Sequence, residues 1–182
     1  MGHVEPGEAP GGPRGVILQT ERLALREAGP DDAAFILELL NAPGFLTGIG
    51  DRGVRTLDQA RSYIEERMVE SYRLQGFGMW IVTPRTGEAP IGLAGLVKRD
   101  VIPHVDVGYA FLESAWGKGY AREAAAAVLE LARGRLGIDP VAAIVNPDNL
   151  ASRRLLEKLG LRLVDVRQLP GWDQPSAYYL TA

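Results

Sequence analysis

At 182 residues the chain suffices for one well-buried domain and is cramped for two, and its 46% apolar and 24% charged residues exclude a disordered protein. A formal net charge of −3 argues against a nucleic-acid-wrapping surface, and no run approaches the roughly 20 apolar residues of a membrane span, so neither a nucleic-acid nor a membrane partner is expected. The absence of cysteine excludes disulfides, thiolate metal sites and a cysteine acyl-enzyme; with His3 and His104 as the sole imidazoles no metal is expected, and the cytoplasm is the expected compartment.

Gly2 to Gly15 is rich in Gly and Pro and lacks the charged and apolar regions of a secretory signal, which predicts a flexible tail over residues 1–15 ahead of a single domain over 16–182. Val16 to Ala28 alternates apolar and polar residues around Leu23 and Leu25, a half-buried strand. Pro30-Asp31-Asp32 opens a helix with acidic residues at its positive end, and Phe35, Ile36, Leu39 and Leu40 form its apolar side up to Asn41-Ala42-Pro43. Gly44 to Thr56 reads as an irregular glycine-rich loop, and Leu57 to Leu74 returns to helical spacing through Ile64 and Met68. Phe77 to Thr83 and Ile91 to Lys98 are strand-length apolar runs joined by the turn chemistry of Pro84 to Glu88.

Val105 to Leu112 predicts a further strand, followed by a glycine loop and an alanine-rich helix to about Leu136. Val141 to Val145 is a short β-branched strand, Asn149 to Leu159 a helix with Asn149 as N-cap and Gly160 as its stop, and two last strands run near Leu161 to Leu169 and Ser176 to Leu180. The order β-α-α-β-β-β-α-β-α-β-β predicts an α/β (α+β) fold with a mixed sheet.

The segment from Asp106 to Glu123, DVGYAFLESAWGKGYARE, carries the chemistry. A glycine-rich turn between a strand and a helix presents backbone N–H groups at the positive end of the helix dipole, a setting for phosphate, although an isolated GxG can equally be a tight turn. Lys118 and Arg122 add positive charge. The P-loop pattern is absent, and Arg122 stands where the third glycine of a dinucleotide loop belongs, so ATP and NAD are disfavoured.

The segment resembles the pyrophosphate loop of the GNAT superfamily, with Gly119 and Ala121 at its last two specified positions, and Trp116 at the first as in the RimJ/RimL-like branch. Asn146 to Leu161 is similar to a second family segment, and Thr20-Glu21-Arg22-Leu23-Ala24-Leu25-Arg26 to the opening of these domains. The resemblance covers roughly residues 18 to 181 and implies a GNAT-like, mostly antiparallel central sheet of about six to seven strands flanked by about four helices. It also implies acetyl-CoA as co-substrate and a primary amine as acceptor, a protein N-terminus or a small molecule. Similar proteins are often homodimers.

By the same resemblance, main-chain groups of Ala110, Phe111 and Leu112 take the pantetheine arm as an added strand, and Trp116, Gly117, Lys118, Gly119, Tyr120 and Ala121 hold the pyrophosphate. A main-chain N–H of Tyr109 or Ala110 is the candidate oxyanion donor. Asn149 is implied as a contact to the pantetheine amides and Ser152 as proton source for the CoA thiolate; local physics reads the same two residues as an N-cap and position N3 of one helix. Asp106 is the candidate base, or else a strand-end carboxylate. Arg153 and Arg154 either reach the CoA phosphates or are solvated. Acceptor selectivity is expected in Gly44 to Arg55 and Pro170 to Pro175, with Phe45 and Trp172 as pocket walls or loop packing. The activity expected is N-acetyl transfer by direct attack in a ternary complex, and the alternative is a non-catalytic acyl-CoA-binding regulatory module.

Overall fold

The computed structural model describes residues 15–87 and 89–182. Apart from Gly15, the expected N-terminal tail lies outside the described residues, as does Glu88 in the turn after Pro84. The strands are β1 (Val16–Gln19), β2 (Leu23–Arg26), β3 (Met79–Pro84), β4 (Gly92–Val97), β5 (Asp106–Phe111), β6 (Ala142–Val145), β7 (Leu161–Arg167) and β8 (Ser176–Thr181). The helices are α1 (Ala33–Asn41), α2 (Pro43–Gly48), α3 (Leu57–Tyr63), α4 (Glu70–Gln75), α5 (Tyr120–Gly134) and α6 (Leu150–Lys158). One eight-stranded sheet runs β1-β2-β3-β4-β5-β6-β8-β7, antiparallel throughout except where β5 meets β6. This is the mixed, mostly antiparallel architecture expected from the sequence.

Three local differences have physical causes. The expected first strand is two, because the Thr20 N–H donates to Leu23 O at 2.8 Å and the Leu23 N–H to Thr20 Oγ1 at 3.0 Å, closing a turn that folds β2 back on β1. The expected loop after Asn41 contains α2: Pro43 supplies a preset first helical residue, and Phe45 gains burial against the helical layer. The helix expected from Leu57 is continuous to Gln75, but Ile64–Val69 between α3 and α4 is π-helical, a wider turn that keeps Ile64 and Met68 buried.

Each face of the sheet buries its own core. On one face α5 lays Ala124, Ala125, Val128 and Ala132 against Leu23, Leu25, Trp80, Leu96 and Val107. On the other, α1 and the long helix from α3 bury Ile36, Leu40, Ile64 and Met68 over Ile81 and Leu93, while Ile102, Ala142, Leu169 and Tyr178 form a separate cluster. The small side chains of the first turns of α5 let the helix approach β4 and β5 closely and set its start beside the end of β5.

Candidate active site

The site arises from a mismatch in pairing. β5 pairs with β4 along six residues, and β6 pairs with β8 along four, but β5 and β6 meet at a single step, Asp106 against Ala142. Each central strand follows its fully paired neighbour, so the two part beyond that step. Asp106 and Val107 are buried, whereas Gly108, Tyr109 and Ala110 on one side and Ile144 and Val145 on the other are partly exposed.

Main-chain direction in this opening follows from ladder alternation. The Leu112 N–H donates to Ile91 O at 2.9 Å, so that N–H, and by period two the backbone groups of Ala110, turn toward β4, while Leu112 O accepts from the Ala115 N–H at 2.9 Å. Tyr109 and Phe111 therefore turn theirs into the opening, and the Trp116 indole N–H already donates to Phe111 O at 3.0 Å. Of the three residues expected to pair with a pantetheine arm, Phe111 has the required direction, and Tyr109 joins it; Ala110 points its ladder groups to β4, and Leu112 is bonded to Ile91 and Ala115. The Tyr109 N–H is likewise the one of the two candidate oxyanion donors that faces the opening.

At the wide end stands the glycine loop. Gly117 (φ 74°) and Gly119 (φ 78°) occupy the left-handed region, and Gly119 is the N-cap of α5 with no side-chain cap. The first N–H groups of a helix have no intrahelical acceptor, so Gly117 to Ala121 offer donors at the positive end of a 15-residue helix. Lys118 and Arg122 are exposed there.

The opening motif of the chain braces this loop. Glu123, in the first turn of α5, accepts from Thr20 Oγ1 (2.5 Å), the Arg22 N–H (2.9 Å) and Arg22 Nε (2.7 Å). Desolvation works against its charge, but these hydrogen bonds and the Arg22 charge hold the Glu123 carboxyl below its ordinary range. Arg22 Nη1 donates to Lys118 O at 2.8 Å, and its guanidinium lies over the Tyr120 ring, 4.6 Å from the centroid. Tying the Lys118 carbonyl down on this side favours presenting the loop amides on the other. Arg26, at the end of the same motif, grips Asp32 through two bonds of 2.9 and 2.7 Å and fixes the entry to α1.

Across the opening, Asn149 Oδ1 accepts from the Ser152 N–H at 3.1 Å, the N-cap expected for α6. Burial pushes the Tyr109 hydroxyl up, and the nearby Ser152 side chain opposes the shift. Arg153 is engaged elsewhere, donating to Tyr179 Oη at 2.9 Å and Pro147 O at 3.1 Å, while Arg154 is exposed. α2 lies over the wide end: a Cβ at Gly44 would fall 2.6 Å from Trp116 ring carbons, the Gly44 N–H donates to Glu113 Oε1 at 2.9 Å, and a Cβ at Gly48 would lie 3.8 Å from Asn149 Nδ2.

At the closed end Asp106 is 2% exposed. Arg99 Nε donates to its Oδ2 at 3.3 Å, and Oδ1 has no partner among the described residues. Burial pushes the carboxyl up to about 6, against the lowering effects of the Arg99 charge, the Arg99 hydrogen bond and its own backbone N–H. Trp172 stands behind Arg99, whose guanidinium lies 5.5 Å from that ring's centroid, whereas Phe45 is buried in the helical layer. Sequence reasoning missed the Tyr109 side chain and Arg99. Arg99 sits in a charge run, Lys98-Arg99-Asp100, that reads as solvated; the clue is the hairpin register, which sets Val97, two residues before it, opposite Asp106.

Among the described residues no three His, Cys, Asp or Glu side chains converge as a metal site, and no helix is long and apolar enough to cross a membrane. Residues 22–162 match the family model for an acetyltransferase (GNAT) domain. The chain is 32% identical over 168 residues to the uncharacterized protein YkkB of Bacillus subtilis strain 168, covering 89% of this chain and 93% of that protein. To the uncharacterized N-acetyltransferase YoaA of the same organism it is 28% identical over 148 residues, covering 80% and 82%. The structure of an acetyltransferase from Agrobacterium tumefaciens str. C58 superposes with a TM-score of 0.76 at 24% identity over 98% of this chain and 99% of that one. RimL, a ribosomal L7/L12 alpha-N-protein acetyltransferase solved in complex with coenzyme A, gives 0.77 at 17% identity over 91% and 96%. A family model spanning most of the chain, joined by a relative 32% identical along nearly its whole length, establishes that the protein belongs to the GNAT acetyltransferase family.

Proposed function

We propose that the protein transfers the acetyl group of acetyl-CoA to a primary amine, on a protein N-terminus or a small molecule, by direct attack in a ternary complex. The observation that carries this reading is the single β5–β6 step: beyond it the sheet opens with main-chain donors and acceptors of Tyr109 and Phe111 facing inward, and the uncapped start of α5 stands at the wide end. An extended arm ending in a pyrophosphate suits both features, the arm as a strand between strands and the diphosphate on the loop amides. RimL, of the same fold, is described with coenzyme A bound, and the family match supports acetyl transfer.

Acetyl-CoA supplies an activated thioester, and the remaining steps fall to the protein. The amine nitrogen bonds to the thioester carbon, the carbon–sulfur bond breaks, and the proton lost by nitrogen needs an acceptor. Asp106 fits that role: its carboxyl, raised to about 6, is ionised at neutral pH, and the unpartnered Oδ1 takes the proton directly or through one water. The Tyr109 N–H is the donor for charge developing on the thioester oxygen. Ser152, with Tyr109 nearby, gives a proton to the departing thiolate, and solvent restores the hydroxyl. Asn149 holds the backbone of Ser152 in place and faces the arm with its amide nitrogen. The absence of cysteine favours this direct route over an acyl-enzyme, and the proposed compartment is the cytoplasm.

The test is release of free thiol from acetyl-CoA across N-terminal peptides, amino acids, polyamines and aminoglycosides, beside a thermal-shift titration with CoA. Acceptor-dependent release supports the transferase; CoA stabilisation without release from any acceptor favours the acyl-CoA-binding module instead.

A further inference from the structure

Asp106 has a neighbour that catalysis by the carboxylate alone does not require. Arg99, on the connection from β4 to β5, keeps its side chain 29% exposed beside a carboxylate that is 2% exposed. A guanidinium carries five N–H donors in a planar fork. One is directed at Asp106 Oδ2, at 3.3 Å, long for an N–H···O bond; among the described residues the other four have no acceptor. The Arg99 Cζ lies 5.5 Å from the ring centroid of Trp172, which the turn at Gly171 (φ 77°) presents from the β7–β8 connection, and the Trp172 N–H closes that turn on Leu169 O at 3.1 Å.

The next arginine in this cluster is different. Arg167 grips Asp165 through two bonds of 2.6 and 2.8 Å and stacks on Tyr178 at 4.2 Å, so its charge is answered. His104 Nδ1 lies 2.6 Å from Tyr178 Oη on the same side of the sheet. Arg99 is therefore the cation of the group with donor capacity to spare, and it lies next to the candidate base.

We infer that Arg99, beside Trp172 and Asp106, binds a carboxylate of the acceptor, so that the acceptor is an amino acid or similar small molecule bearing a carboxylate beside its amine. The inference rests on the transferase reading above. An amine served by Asp106 brings its own substituents against Arg99, because the two side chains are bonded. When Asp106 accepts the amine proton it becomes neutral, and Arg99 loses its partner charge; a substrate carboxylate on the free guanidinium donors restores the balance at that moment. The planar fork matches a carboxylate in a way that a lysine does not. A polyamine would instead bring further positive charge against a guanidinium that loses its partner charge when Asp106 takes up the proton.

The experiment compares each amino acid with its carboxamide, which keeps the amine and removes the negative charge, in acetyl-CoA-dependent thiol release by the wild-type protein, Arg99→Lys and Arg99→Gln. The amino acid is expected to have a KM about tenfold to a hundredfold below that of its amide in the wild type, the range for a hydrogen bond to a charged group. Arg99→Gln should bring that ratio close to one, and Arg99→Lys should recover part of it. Both acceptors of a pair depend on the same Asp106, so any shift of the base caused by the substitution cancels in the ratio. Equal use of acid and amide by the wild type, or turnover confined to polyamines, aminoglycosides or peptide N-termini, overturns the inference and leaves the transferase standing. CoA binding without thiol release from any acceptor removes both together. The wild-type ratio needs no variant to fold.

Discussion

Two helices begin at the same opening in the sheet, and they begin differently. α6 starts on Asn149, whose side chain accepts the Ser152 N–H, so part of its donor set is satisfied from within. α5 starts on Gly119 in a left-handed conformation with no side chain to cap it. The usual device for stabilising a helix start is missing from the longer helix, where the dipole effect of the terminal amides is available to a ligand. An uncapped terminus is a cost the fold carries in the free protein, and an anion removes it. The capped terminus, by contrast, fixes the backbone of Ser152 near Tyr109. On the proposed reading α5 binds and α6 positions.

Substitutions can break that contrast, and the largest effect belongs to α5. Gly119→Val places a branched side chain at φ 78°, with its Cβ 3.4 Å from Arg22 Nη2, and is expected to weaken acetyl-CoA binding by at least about a hundredfold in calorimetry. Undiminished affinity in a folded variant would move the diphosphate away from the loop. Asp106→Asn should lower kcat by about a hundredfold or more, the usual weight of a positioned base. Wild-type kcat/KM should fall as pH drops through about 6, where Asp106 takes up a proton, and a profile flat across that value removes the carboxylate from the reaction.

The same residue makes a stability prediction of opposite sense. Its carboxyl is raised on folding, so it contributes stability below the ordinary carboxylate range, near pH 4, and that contribution is lost as pH rises through about 6. In thermal melts Asp106→Asn should therefore gain on the wild type at pH 8 and not at pH 4.

Ser152→Ala is next, with an expected loss of about tenfold to a hundredfold in kcat and an acetyl-CoA affinity within about twofold of the wild type. A matching loss in affinity would make α6 a binding helix like α5. Arg22→Ala removes the brace on Lys118 and Glu123, but its side chain is 44% exposed, so about fivefold weaker acetyl-CoA binding is expected by titration. Asn149→Ala should cost about 1 kcal/mol in chemical denaturation, the worth of a cap.

The parts of the fold that sequence could supply were those with a local signature. Gly119, Asn149 and Gly160 each stand at a helix boundary that requires their own backbone or side-chain chemistry, and all three are found there. In α2 the start signature of Pro43 was outweighed by the glycines at 44 and 48, which read as loop residues. At Gly44 that smallness instead answers to a tertiary contact with Trp116. The π-helical turn at Ile64–Val69 keeps apolar spacing close enough to α that periodicity does not separate them. In the candidate site the loop and the start of α6 are contiguous segments and could be read. Tyr109 with Ser152, and Arg99 with Asp106, are joined only by the parting of β5 from β6 and by the register of a hairpin. Neither pairing has a period or a spacing to announce it.

The one-step contact between Asp106 and Ala142 also bears on how the molecule holds together. It divides the sheet into a five-strand plate and a three-strand plate joined at a corner, with the inner edges of both left without rungs. On the proposed reading an extended ligand laid between them acts as a ninth strand, and part of the cohesion of the complete sheet is then borrowed from the substrate. Hydrogen exchange should register this as slowed amides at Tyr109 and Phe111 on binding, while amides on the fully paired β4 change little. Product departure then returns the plates to their corner joint, ready for another strand that the chain itself does not encode.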